Sequence, residues 1–153
     1  MALSAGQQAP DFELPDQHGN TVKLSDYQGD KPVALVFYVF AFSGICEGEL
    51  CAIRDDFSRF EAAGVQVIAL SCDARFAQKA FAESQGYEFP VLSDFWPHGE
   101  TAKAYDVFNA DVGCPMRAAF LIGADGTIID VFETENLGTA REQERYEEAL
   151  AKL

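Results

Sequence analysis

Cys46 and Cys51 stand five residues apart at the end of an apolar run, Phe37-Tyr-Val-Phe-Ala-Phe-Ser-Gly-Ile-Cys46-Glu-Gly-Glu-Leu-Cys51. A thiol is a useful nucleophile only as its thiolate. A helix N-terminus favours that form, because unpaired N–H groups and the helix dipole stabilise negative charge there. Cys46 follows a strand-like segment and precedes a helix-like one, so it is poised to ionise. Ser43 offers a hydroxyl three residues earlier, and Gly44 permits close backbone approach. Arg117, at the start of a later strand-like run, is the candidate for a fixed positive charge across the fold.

Geometry constrains the second thiol. Residues five apart in an α-helix have Cα atoms ~8.7 Å apart, beyond the ~7 Å limit for a disulfide. An intact helix therefore cannot carry a Cys46–Cys51 bridge. If the pair does bridge, the first helical turns must unwind, and Gly48 between the cysteines lowers that cost by weakening the helix.

The other two cysteines have a plainer reading, since unpaired cysteine commonly acts as a small buried hydrophobe. Cys72, directly after a buried strand, fits that role, while Cys114 stays open between packing and exposure. The gaps between cysteines, 5, 21 and 42 residues, include no C-x2-C knuckle, and His18 and His98 lie far away in sequence, so no metal is expected. A dithiol-exchange enzyme would want C-x-x-C at this helix start, and the spacing here is C-x4-C.

The elements that must position these groups can be read from apolar spacing. Val33–Val39 and Val65–Leu70 are continuous apolar, β-branched runs, as expected of strands covered on both faces. Between them, Leu50, Ile53, Phe57 and Phe60 have helical spacing over residues 49–63, and Gly64 marks a stop. A second helix is expected over 74–84 with Phe76, Ala80 and Phe81 inward, a short strand over 89–92, and a short helix over 99–105. Ala118–Ile122 and Thr127–Phe132 flank Gly123-Ala-Asp-Gly126, where Asp-Gly supplies hairpin-turn geometry. A small hairpin is expected around Gln17–Asn20, and a charged helix over 139–153 with Thr139 as N-cap. The order predicts an α/β chain with a mixed sheet flanked by helices, and reactive groups at strand C-termini.

The 153 residues suit one domain spanning 1–153. Lys plus Arg number 11 against 25 Asp plus Glu, a net charge of −14, which disfavours nucleic acid and anionic membrane as partners. No apolar run reaches the ~18 to 20 residues of a membrane span, and no secretory leader is evident, so the cytoplasm is the expected location. Trp96 and Phe42 are read as core, because large aromatics are mostly buried.

Ser43-Gly-Ile-Cys46-Glu-Gly-Glu49, with Arg117 just before a late strand, resembles the peroxiredoxin active-site pattern P-x-x-x-[T/S]-x-x-C-x-x-E. Ala9-Pro-Asp-Phe12, Leu92-Ser-Asp-Phe-Trp-Pro-His-Gly99 and Tyr105-Asp-Val-Phe-Asn109 resemble the alkyl hydroperoxide reductase E-type branch of that family. The resemblance implies a thioredoxin-like fold with an N-terminal hairpin extension, and a peroxidase needing no metal or cofactor. Its substrates would be hydrogen peroxide and organic hydroperoxides, its reductant a thioredoxin-like protein or a low-molecular-weight thiol, and its copies could pair as homodimers.

By that resemblance Cys46 attacks the peroxide and becomes a sulfenic acid. Ser43, Arg117 and the Cys46 N–H position the oxygens. Val39, Phe42 and Gly44 would line the substrate pocket. Glu49 would orient Arg117, although an acid in a first helical turn is also what the dipole favours. Cys51 stands where Q-type (bacterioferritin-comigratory) peroxiredoxins place a resolving cysteine, which implies an intramolecular disulfide. Val39 stands where the family has a thiol-shielding proline; it keeps apolar bulk but restores an N–H and frees φ, so an altered peroxidase rate is expected. Two other activities fit the same thiols: thiol-disulfide oxidoreductase, and a peroxide sensor without turnover.

Overall fold

The chain is represented by a computed structural model that describes residues 2–134 and 148–153, and for residues 45–49 and 134 the backbone alone. Strands β1 (Glu13–Pro15) and β2 (Thr21–Lys23) pair antiparallel as the expected N-terminal hairpin. Asp16 closes it by accepting the N–H groups of His18 and Asn20, both at 2.9 Å, the local bonding for which Asp is favoured in turns.

Strand β3 (Val33–Phe37) is buried along its whole length. It runs parallel to β4 (Gln66–Ser71) and antiparallel to β8 (Arg117–Ile122). With β5 (Val91–Ser93) and β9 (Ile128–Thr134) at the edges, the sheet order is β5-β4-β3-β8-β9. Because successive side chains alternate faces, β3 feeds two cores. Ala34, Val36 and Tyr38 pack with Leu50, Ile53, Phe60 and Phe81, whereas Val33, Leu35 and Phe37 pack with Phe12, Leu24, Tyr105 and Phe120. The run was continuous in sequence because neither face meets water. The β8–β9 hairpin turns at Gly126, whose φ of 87° is the positive value anticipated for the Asp-Gly pair.

Helix α1 covers Gly44–Asp55 and α2 covers Phe57–Ala62. The single helix expected over 49–63 is thus two, and it begins five residues earlier. The break falls at Asp56 (φ −98°, ψ 13°), a residue type that favours helix ends over interiors. The early start was hidden because Ser43-Gly-Ile-Cys-Glu-Gly carries no helical apolar spacing, and the apolar positions of the expected helix begin at Leu50, a turn and a half into α1.

Helix α3 (Arg75–Gln85) differs from expectation in its phase. It buries Gln78, Phe81 and Ala82, while Ala80 is exposed and Phe76 is 69% exposed, with the Arg75 guanidinium 4.2 Å over its ring. A glutamine faces inward because both its N–H bonds are used: Nε2 donates to Ser71 Oγ at 2.9 Å and to the Leu92 carbonyl at 2.7 Å. Strand β5 also starts later than expected. The segment before it is tied down by Gln17, which donates to the Phe89 carbonyl and accepts the Val91 N–H.

Helix α4 (Glu100–Ala104) lies within the expected span. A small pair, β6 (Phe108–Asn109) with β7 (Cys114–Pro115), was not anticipated. The C-terminal helix expected over 139–153, and its N-cap Thr139, lie largely outside the described residues; residues 148–150 are helical and Ala149 joins the first core.

Candidate active site

The buried central strand delivers the chain directly to a helix start. After β3, Tyr38 donates its N–H to the Leu70 carbonyl at 3.0 Å, and both Tyr38 and Val39 remain buried. The chain then turns over Phe40–Ser43. The Ser43 N–H and hydroxyl both donate to the Phe40 carbonyl, at 3.2 Å and 2.9 Å. Phe42, the third residue of the turn, has φ 65°, a left-handed value uncommon for a bulky residue. Ser43 is the N-cap of α1, with no side-chain capping bond.

Cys46 is therefore the third residue of α1. Its backbone N–H belongs to the first four of the helix, which have no intrahelical acceptor, so it faces where an anion is favoured. A Cβ placed on Gly44 would meet nothing within 4 Å, so the space beside that backbone is open.

Arg117 reaches the same end of the sheet through strand register. Phe37, the last residue of β3, pairs with Ala118, so Arg117 lies one step beyond it, alongside Tyr38. It is 2% exposed. Ser43, Gly44, the Cys46 backbone and Arg117 thus gather where β3 ends. The side chain of Glu49, expected to orient Arg117, lies outside the described residues.

Val39 packs in the apolar cluster with Leu50 and Cys114. Phe42 and Trp96, read as core, are instead 54% and 81% exposed. Phe42, on a left-handed backbone, lays one side of its ring on the buried Phe81 at 5.1 Å between ring centres and leaves the rest exposed, whereas Trp96 sits in the surface loop between β5 and α4.

Cys51 lies farther along an unbroken helix, half-buried, its sulfur 3.3 Å from Gln85 Oε1 and 3.4 Å from the Tyr87 hydroxyl. Helical geometry keeps it ~8.7 Å from Cys46 between Cα atoms, so the two are not placed to bridge. Cys72 and Cys114 are both buried. Burial pushes the Cys72 thiol up to about 12, with Asp94 and Cys114 adding to the effect, so it stays protonated. Among the described residues no cluster of His, Cys, Asp or Glu is placed to hold a metal ion, and no helix is long and apolar enough to cross a membrane.

Sequence reading missed a polar cluster beside the turn. Asp73 Oδ2 accepts the Ala41 N–H at 2.8 Å and the Ser71 hydroxyl at 2.7 Å, while Ser93 Oγ donates to the Asp73 carbonyl at 2.6 Å. The signal was available: Ser71-Cys72-Asp73 leaves β4 at the same sheet end as the β3–α1 turn, where reactive groups of such sheets collect.

The comparisons agree with this architecture. The sequence model of the AhpC/TSA family matches residues 5–131. The chain is 42% identical over 151 residues to alkyl hydroperoxide reductase E of Mycobacterium tuberculosis, covering 99% of this chain and 98% of that protein. It is 37% identical over 142 residues to peroxiredoxin Bcp of Escherichia coli, covering 86% of each. Among solved structures it superposes on peroxidoxin BcpB of Mycobacterium tuberculosis with a TM-score of 0.87 at 32% identity, covering 98% of this chain and 96% of that one. Enterococcus faecalis AhpC gives the same TM-score at 27% identity, covering 99% and 92%. A buried strand that feeds a cysteine into a helix start, on a thioredoxin-like sheet with these relatives, places the chain in the AhpC/TSA family of peroxiredoxins, which are thiol peroxidases.

Proposed function

We propose that Cys46 is the peroxidatic cysteine of a peroxidase acting on hydrogen peroxide and small organic hydroperoxides. The observation that carries this reading is the place of Cys46 in the first turn of α1, with the buried Arg117 at the same sheet end. The thiolate attacks the terminal peroxide oxygen, forming an S–O bond as the O–O bond breaks. The departing alkoxide or hydroxide takes a proton and leaves as alcohol or water. Arg117 and the first-turn N–H groups stabilise charge on the oxygens. Ser43 contributes an acceptor, since its proton is engaged by Phe40, and Glu49 orients Arg117.

Cys51 then attacks the Cys46 sulfenic acid, releasing water and forming an intramolecular disulfide, for which the start of α1 must unwind. A thioredoxin-like protein or a small thiol returns both cysteines to thiols. Val39 shields the thiol in place of proline, and copies pair as homodimers.

The test is peroxide consumption with a thiol reductant by wild type, Cys46→Ser and Cys51→Ser, with peptide mapping after one equivalent of peroxide. Sustained turnover lost in Cys46→Ser, with a Cys46–Cys51 linked peptide, is expected. Turnover surviving Cys46→Ser overturns the assignment. A persistent sulfenic acid, or a bridge to Cys114, removes Cys51 from the cycle, and a single oxidation without turnover makes the protein a sensor.

A further inference from the structure

The turn that hands the chain from β3 to α1 donates a backbone hydrogen bond to a carboxylate outside it. Its third residue, Phe42, is left-handed at φ 65°, a conformation that a bulky side chain keeps only where surrounding contacts over-determine it. The bond inside the turn, Ser43 N–H to the Phe40 carbonyl, does not reach the rest of the fold. Among the described residues three contacts do: the Phe42 ring against Phe81, the Ala41 side chain against the first core, and the Ala41 N–H on Asp73 Oδ2 at 2.8 Å.

Asp73 is itself fixed on three sides. Ser71 Oγ donates to the same Oδ2 at 2.7 Å, and the Asp73 N–H donates back to Ser71 Oγ at 3.2 Å. Ser93 of β5 donates to the Asp73 carbonyl. Gln78 of α3 donates to Ser71 Oγ and ties that hydroxyl to the Leu92 carbonyl. Ser71 and Gln78 are completely buried, so the two Gln78 bonds do not compete with water, while Asp73 itself is half-buried. The result is a rigid chain of contacts from β4, α3 and β5 to a single amide two residues before the α1 N-cap.

We propose that Asp73 is a positioning residue for the peroxidase reaction: through the Ala41 amide it fixes the Phe40–Ser43 turn, and so the first-turn N–H groups of α1 that receive the peroxide oxygens. This rests on Cys46 being the attacking thiol. Asp73 touches neither substrate nor sulfur in this role. It sets where Ser43 and the Cys46 N–H stand, and small misplacements of such groups cost rate steeply.

A positioning role separates two reactions of one thiol. Oxidation by peroxide needs the oxygens oriented, whereas alkylation by iodoacetamide needs only the thiolate. Asp73→Ala is expected to slow oxidation of Cys46 by hydrogen peroxide about tenfold or more, while alkylation by iodoacetamide changes less than about threefold. Asp73→Asn keeps an oxygen that can accept both the Ala41 N–H and the Ser71 hydroxyl, so it should recover most of the peroxide rate. Should Asp73→Ala fail to fold, Ser71→Ala, which removes one donor to Oδ2, is expected to show a smaller loss with the same selectivity.

In the unmodified protein the Ala41 amide should exchange with deuterium more slowly than that of Phe42. An Ala41 amide that exchanges as fast as Phe42, a wild-type peroxide rate in Asp73→Ala, or equal losses in both reactions would overturn the proposal. Equal loss in the Ala and Asn variants would do the same, because charge and not the amide contact would then matter. A wild-type Cys46 that peroxide does not oxidise would instead sink the Cys46 assignment, and this inference with it.

Discussion

The Cys51 sulfur lies 3.4 Å from the Tyr87 hydroxyl, in a helix that continues unbroken from Gly44 to Asp55. Tyr87 is held in turn by rings on two sides, stacked on Phe89 at 5.1 Å and edge-on to Phe81 at 5.3 Å. Cys51 is thus anchored, and on the proposed function bridging requires the Cys46 end of α1 to travel. Gly48 lies on the path. Gly48→Ala strengthens the helix by about 0.5–1 kcal/mol and should slow disulfide formation about two- to fivefold, leaving the first oxidation of Cys46 unchanged. Rapid mixing with peroxide, followed by acid quench and mass measurement, resolves the two steps; an unchanged second step would mean that α1 does not unwind.

Val39 is buried in the apolar cluster that includes Leu50 and Cys114, and on the proposed function it shields the thiol in place of proline. Val39→Pro removes one N–H donor and fixes φ. Faster oxidation of Cys46 by hydrogen peroxide is expected in stopped-flow measurements, with no new cysteine reacting. A rate equal to wild type would show that valine shields the thiol as well as proline does.

Cys72 should be silent toward alkylating reagents in the native state. Its pKa is raised to about 12 by burial, then by Asp94 and Cys114, so at pH 8 its thiolate fraction is about one in ten thousand. The sign follows from the direction of the shift. A thiol whose folded pKa lies above the unfolded 9.0 adds stability that is complete below pH 9 and lost as pH rises toward 12. Iodoacetamide at pH 8, with peptide mapping, should label Cys72 only after urea unfolding; native labelling at a rate near that of Cys46 would contradict its burial.

Gly99 sits at φ 74° as the N-cap of α4, and a Cβ there would overlap the Phe108 ring. Gly99→Ala combines backbone strain with a clash and should cost about 2–4 kcal/mol. That corresponds to a fall in Tm of about 5–15 °C for a chain of this size. Calorimetry showing a loss under 2 °C would mean that Phe108 moves aside freely.

The sheet and the place of the thiol were legible in the sequence because each rests on local signals. β3 and β4 announced themselves by unbroken apolar composition, the β8–β9 turn by Asp-Gly, and the junction at Cys46 by the change from strand-like to helix-like spacing. Errors appeared where a polar or aromatic residue broke the simple inside-outside rule. Phe76 was placed inward and Gln78 ignored, although both N–H groups of Gln78 are taken up by Ser71 and Leu92, which lowers the cost of turning this amide toward the core while its Oε1 stays without a hydrogen-bond partner. Phe42 was read as core by its size, yet in a left-handed turn it only caps Phe81 and stays 54% exposed.

The sequence by itself therefore determined the family, the position of Cys46 at a helix start, and the impossibility of bridging Cys46 to Cys51 within an intact helix, since these depend on residue type and short spacing. Only the tertiary structure decided that Arg117 stands one register step past the end of β3, that Tyr87 and Gln85 hold Cys51, and that Asp73 secures the turn before α1. Each of those joins residues more than thirty positions apart, and strand register and side-chain packing, which set such distances, leave no periodic trace in a single chain's sequence.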